Sequence, residues 1–225
     1  MGTVIGSILP FAVGIAISPV PIIVVILTLL SPRARSSSLG FLVGFLVGIL
    51  GGFVALTLVS SLLPSHHQHG ANPWEGVIKL ALGALLVLLA VRQWRKRPQG
   101  DEKPEMPSWM QKIDSFGFMN ALGLGLVLSI ANPKNLILTA GASVDVGASD
   151  LSIEAVVVAV AVFTLVAASA VIVPVVAFLV AADRLRPGLN ALHTWLTREN
   201  HVIMAVMFIV LGANSIGKGL GAIWP

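Results

Sequence analysis

TVIGSILPFAVGIAISPVPIIVVILTLL, residues 3–30, is an apolar run broken in its middle by Ser18-Pro19-Val20-Pro21. A bilayer span needs about 20 mostly apolar residues, so the run is long enough to cross. Its interior carries helix-start chemistry, because serine is a favoured N-cap and proline is favoured at the first helical position. The run therefore reads as two half-helices, the second starting near Pro19. Residues 116–144, FGFMNALGLGLVLSIANPKNLILTAGASV, repeat the arrangement with Asn132-Pro133-Lys134-Asn135 at a matching depth. There the second half-helix starts near Pro133.

Outward from these two runs, further apolar stretches lie at residues 39–63, 76–94, 152–182 and 201–221. The expected fold is an all-α integral membrane protein of six transmembrane helices, with the first and fourth broken. Composition agrees: 56% of residues are hydrophobic and 11% charged, against about 25% charged in a soluble domain. A water-soluble fold is excluded, and 225 residues leave almost no room for a soluble domain beside six spans. The chain has no cysteine, which excludes disulfides, thiolate nucleophiles and cysteine-ligated metals. A net charge of +4 is too small and too segregated to suggest a nucleic-acid partner. Only Met1, Gly2 and Thr3 precede the first run, so the basic region of a cleavable signal peptide is missing and this run is expected to stay as a helix.

Lysine and arginine set the orientation. Eleven of the 14 fall in alternate loops: Arg33 and Arg35; Arg92, Arg95, Lys96, Arg97, Lys103 and Lys112; and Arg184, Arg186 and Arg198. The other two loops hold His66, His67, His69, Glu75, Asp145, Asp150 and Glu154. This predicts a multi-pass protein of the cytoplasmic membrane with basic loops inside and both termini outside. The proline-rich, charged stretch 99–115 divides the chain into a first three-helix repeat, residues 1–98, and a second, residues 116–225. Three helices on each side make the second half enter from the opposite face, the arrangement of an inverted repeat. Leu82-Gly83-Ala84 in the third run is echoed by Leu211-Gly212-Ala213 in the sixth. Met106, Trp109, Met110, Ile113 and Phe116, and then Leu185, Leu189, Leu192, Trp195 and Leu196, are spaced as interfacial helices anchored on the membrane surface.

A half-helix N-terminus inside the membrane offers unpaired N–H groups and a positive dipole end to an anion. Lys134 adds a full charge, and it is the one basic residue well inside an apolar run. A charge at the helix centre costs roughly 2.5 to 3.5 kcal/mol on insertion scales, so one kept there is a functional candidate. Either break alone is as well explained by a proline kink, and a lysine can also snorkel to an interface. Two breaks at matching points favour a substrate site made of Ser18, Pro19, Pro21, Asn132, Pro133, Lys134 and Asn135. Pro174, which has no counterpart in the other half, reads as an ordinary kink. No carboxylate lies deep in a run, so Lys134 points to an anionic group and away from a cation.

Other signals carry less. Gly212 to Gly219 matches a phosphate-binding loop up to Lys218 but has Gly219 where serine or threonine would hold magnesium, and it follows no strand. His66, His67 and His69 could hold a metal but lack a fourth ligand, which favours a solvated loop. Gly40, Gly44, Gly48 and Gly52 form a small-residue stripe that allows close helix approach, within the bundle or in a homodimer. No hydrolytic triad, catalytic acid or base, resident metal or cofactor site is visible, and an enzyme is not expected.

Six spans in two halves, Ser18-Pro19, Arg33 to Arg35, the glycine-rich second run and Asn132-Pro133-Lys134 together resemble the lysine exporter superfamily. Within it the chain is most similar to the actinobacterial glycopeptidolipid- or sulfolipid-addressing proteins. The resemblance implies participation in export of a cell-envelope glycolipid across the cytoplasmic membrane, with Ser18, Pro19, Pro21, Asn132, Pro133 and Lys134 as motif positions. Two other roles stay open: an exporter of a small anionic or zwitterionic metabolite, and a non-transporting accessory subunit that docks a lipid synthase or export partner through residues 95–115.

Overall fold

The computed structural model describes residues 2–62, 73–97, 113, 115–147, 149 and 151–223. His66, His67 and His69, and nearly all of 99–115, lie outside the described residues. Among the described residues the long regular elements are all helices: α1 (Gly2–Ala16), α2 (Pro19–Leu30), α3 (Ala34–Leu62), α4 (Pro73–Arg95), α5 (Phe118–Ile130), α6 (Pro133–Gly147) and α7 (Ile153–Ile223).

The two breaks fall where the capping chemistry puts them. Pro19 opens α2 behind Ser18, and Pro133 opens α6 behind Asn132. The chain bends by 53° between α1 and α2 and by 60° between α5 and α6. Each proline lacks an N–H and sterically disfavours helical backbone in the residue before it, so the helix stops and restarts there.

By length and apolar character, three helical stretches could cross a membrane: Ala34–Ser61, Ile153–Ala182 and Arg184–Gly221. Counting each bent pair as one span raises the number to five. The last two stretches are arms of α7, which departs from helical backbone at Ala181 (φ −143°, ψ 50°). The helical arm after this kink starts at Arg184, so the segment expected as a loop and an interfacial helix before the sixth run is part of a long helix. Leu189 and Leu196, seven residues apart, are buried, while Leu192 and Trp195 are exposed. The stripe therefore packs inward on one side, and only its edge is left for an interface. Pro174 sits inside the preceding arm, seven residues before the kink.

The chain divides into two compact units. The first comprises residues 1–65 and 106–194. Its centre is α3, which presents glycine to α5. A Cβ at Gly40, Gly44 or Gly48 would strike Phe118, Leu122 or Ser129, and one at Gly125 would strike the backbone around Phe41 and Phe45. Three of the four glycines of the small-residue stripe thus form a packing face within the bundle, while Gly52 faces open space. Beside it Phe41, Phe45, Ile49 and Phe53 are buried, while Val43, Val47, Leu50, Val54 and Leu58 are exposed on another face. An exposed face this apolar on so long a helix suits lipid, not water. Phe53 stacks on Phe163 of α7 at 4.1 Å between centroids. Helices α3 and α6 are also hydrogen-bonded: the Ser60 hydroxyl donates to the Ser143 carbonyl (2.9 Å) and the Ser143 hydroxyl to the Phe53 carbonyl (3.3 Å).

The second unit comprises residues 66–105 and 195–225. In it α4 packs on the end of α7 through Leu86, Ala90, Met207 and Phe208. Gly83 and Gly212 allow the two backbones to approach closely. The run Gly212 to Gly219 is helical throughout, so it offers no loop that could wrap a phosphate.

Candidate functional site

The second elbow is held by side chains. Asn132 accepts a hydrogen bond at Oδ1 from the Lys134 backbone N–H (3.1 Å), as a helix-capping asparagine does. Asn135 reaches back across the bend, its Nδ2 donating to the Leu128 carbonyl (3.2 Å). That carbonyl belongs to the last turn of α5, where helical carbonyls lose their partners, so the amide replaces a broken rung. Asn135 is 0% exposed and its Oδ1 has no hydrogen-bond partner. Lys134 is 5% exposed, so its side chain lies within the protein.

The first elbow is built differently. Ser18 occupies the N-cap position of α2 but makes no side-chain cap. It is 1% exposed, and its hydroxyl is buried without a partner. Pro19 and Pro21 are buried as well. Because both lack an N–H, this helix end has fewer donors than its dipole suggests. The two elbows lie in the same unit, and their arms pack crosswise, α1 on α6 and α2 on α5. One such contact is the Phe11 ring against Gly141.

Of the seven residues expected at the site, Ser18, Pro19, Pro21, Lys134 and Asn135 are buried, Asn132 is half-buried, and Pro133 is exposed. Asn132, Lys134 and Asn135 form one hydrogen-bonded elbow; Ser18, Pro19 and Pro21 form the other.

The structure adds polar residues that were not singled out. On α6, Asn135, Thr139 and Ser143 recur every four residues and are all buried, making a polar stripe along one face. Thr57 of α3 and Thr164 of α7 are buried with hydroxyls that have no partner. The spacing of 135, 139 and 143 was a readable signal; the two threonines had none. A buried polar atom without a partner costs about 1 to 3 kcal/mol and calls for an explanation, which a bound polar group would supply. A buried ammonium, a hydroxyl and an amide oxygen suit a polar or anionic head group. Among the described residues no group of three or more metal-ligating side chains occurs.

The family model described as Sap, sulfolipid-1-addressing protein, matches residues 8–221, nearly the whole chain. No curated protein and no solved structure matches it.

Proposed function

We propose that this chain, which belongs to the sulfolipid-1-addressing protein family, takes part in moving a cell-envelope lipid or glycolipid across the cytoplasmic membrane. The head group, anionic or polar, is held at the paired elbows. Lys134 contacts it directly, Ser18 and Asn135 supply hydrogen-bonding atoms, and the acyl chains stay in lipid. The observation that carries this reading is the pair of elbows with Ser18 and Asn135 buried and each holding an unmatched polar atom, beside the buried Lys134.

The finer architecture belongs to the same proposal. Counting α4 as a span beside the two bent pairs, α3 and the two arms of α7 gives six, in two inverted halves, 1–98 and 116–225, around the linker 99–115. Three features support the inversion: the matching elbows, the crosswise packing of their arms, and the Gly83 and Gly212 contact between the echoed Leu-Gly-Ala segments. Exchanging α1 with α5 and α2 with α6 turns one crosswise contact into the other. Basic loops face the cytoplasm, and this layout supports placement in the lysine exporter superfamily. Transport then proceeds by movement of one part of the repeat pair against the other, by analogy with inverted-repeat transporters.

The test is mass spectrometry of lipids that co-purify with the wild-type protein in mild detergent, beside Lys134→Met at equal folded yield. Enrichment of an anionic glycolipid or phospholipid with wild type, and its loss in the variant, is expected. Identical bulk lipids on both would overturn the head-group role of Lys134 and turn attention to a soluble metabolite or an accessory subunit.

A further inference from the structure

The second unit has a polar cluster of its own, remote in sequence from the elbows. Near the end of α4, Gln93 Oε1 meets His201 Nδ1 of α7 at 2.8 Å. One turn further on, the Arg97 guanidinium lies 4.1 Å from the centroid of the Trp94 ring. Its Nη1 is shielded from solvent and has no hydrogen-bond partner. The Oδ1 of Asn200, the residue before His201, is in the same condition. Lys96, exposed and next in sequence to Arg97, adds a second cation at this end of α4. Close in sequence to this fastened pair, one helix end thus carries an unmatched cationic donor and the other an unmatched neutral acceptor.

Buried polar atoms are rarely left unmatched, and a charged donor least of all. The two needs are complementary to one kind of ligand: an anionic oxygen for Arg97 and Lys96, and a hydroxyl or ammonium donor for Asn200. Arg92 and Arg95, both exposed, add positive charge in the same turns. Trp94 is 47% exposed, which suits an amphipathic ring lying at head-group level. Basic pockets between transmembrane helices on the cytoplasmic side are places where phospholipid head groups bind.

We infer that the ends of α4 and α7 around Arg97 and Asn200 bind a phospholipid of the cytoplasmic leaflet whose head group combines a phosphodiester with hydroxyl donors. Arg97 and Lys96 take the phosphate oxygens and Asn200 accepts from a head-group hydroxyl. Trp94 covers the guanidinium face, and the Gln93 and His201 bond holds the two helices at the spacing the head group bridges. The assignment rests on the orientation proposed above but not on the transport role, since no residue of the site lies on α1, α2, α5 or α6.

Native mass spectrometry of the full-length protein in mild detergent tests it, with phosphatidylinositol, phosphatidylcholine and inorganic phosphate as probes. Wild type should retain phosphatidylinositol over phosphatidylcholine by on the order of fivefold or more, as one or two basic contacts give. Arg97→Gln and Asn200→Asp should each bring retention down to the phosphatidylcholine level, with the exposed Arg35→Gln unchanged. Equal retention of the two lipids by wild type, or a preference untouched by both cluster variants, would overturn the site. Displacement of the lipid by equimolar inorganic phosphate would mark a free-anion site and overturn the lipid assignment. Should the variants fail to fold, a photoreactive phosphatidylinositol on wild type decides: crosslinks at 93–97 and 200–201 support the site, and crosslinks confined elsewhere refute it.

Discussion

A Cβ placed on Gly83 would come within 2.9 Å of the Gly212 carbonyl oxygen, and one placed on Gly212 within 3.1 Å of the Gly83 carbonyl oxygen. The contact is reciprocal, as between surfaces related by a two-fold axis. Each helix lays its glycine on the backbone of the other, so a side chain at either position must push the helices apart.

Gly83→Val and Gly212→Val are therefore expected to destabilise the protein by about 1 to 3 kcal/mol each, the usual range for overpacking. Thermal unfolding in mild detergent measures this. The pair should be less than additive, because the first substitution already separates the helices.

Glycines with nothing nearby should behave in the opposite way. Gly51, Gly52 and Gly123 lie inside helices with open space where a Cβ would stand. Replacing each with alanine should be neutral or stabilising by up to about 1 kcal/mol, from helix propensity. Gly44→Ala or Gly125→Ala, which meet backbone across the interface between α3 and α5, should lower the unfolding temperature in the same assay.

The two elbows should respond differently to loss of the side chains at their N-cap positions. Asn132→Ala removes the bond to the Lys134 N–H and should cost about 1 kcal/mol of stability. Ser18→Ala removes no hydrogen bond and should leave stability unchanged or slightly raised. Under the proposed function, Ser18→Ala should nonetheless lower the amount of co-purifying lipid. Unfolding and lipid mass spectrometry on one preparation separate the two effects.

Orientation is open to a clean test because the chain contains no cysteine. In intact cells, Ser152→Cys should react with a membrane-impermeant maleimide, and Arg35→Cys should react only after permeabilisation. Both positions are exposed, so burial does not confound the labelling. The reverse pattern would invert the topology.

The elbows were legible because the chemistry that starts a helix is local: a capping side chain followed by proline states its meaning within three residues. The glycine stripe on α3 was legible only as a demand for close approach. Small residues announce that something comes near, while the identity of α5 as the partner depends on tertiary packing. The kink at Ala181 was not legible, since alanine is the strongest helix former and the neighbouring prolines, Pro174 and Pro187, draw attention elsewhere. Charge misled in the same region: Arg184, Arg186 and Arg198 read as a loop, yet basic side chains can sit on the surface of a continuous helix with their stems along apolar neighbours. Lys134 and Asn135 were recognisable as candidates, but the bond from Asn135 to the Leu128 carbonyl was not, because a residue's reach across a bend depends on the bend angle.

That bond makes the two elbows mechanically unequal. The second is latched, with an amide side chain bolting α6 to the end of α5, whereas the first has no side-chain fastening at Ser18. A force that flexes the bundle therefore meets a side-chain bond at the second elbow and none at the Ser18 hydroxyl of the first.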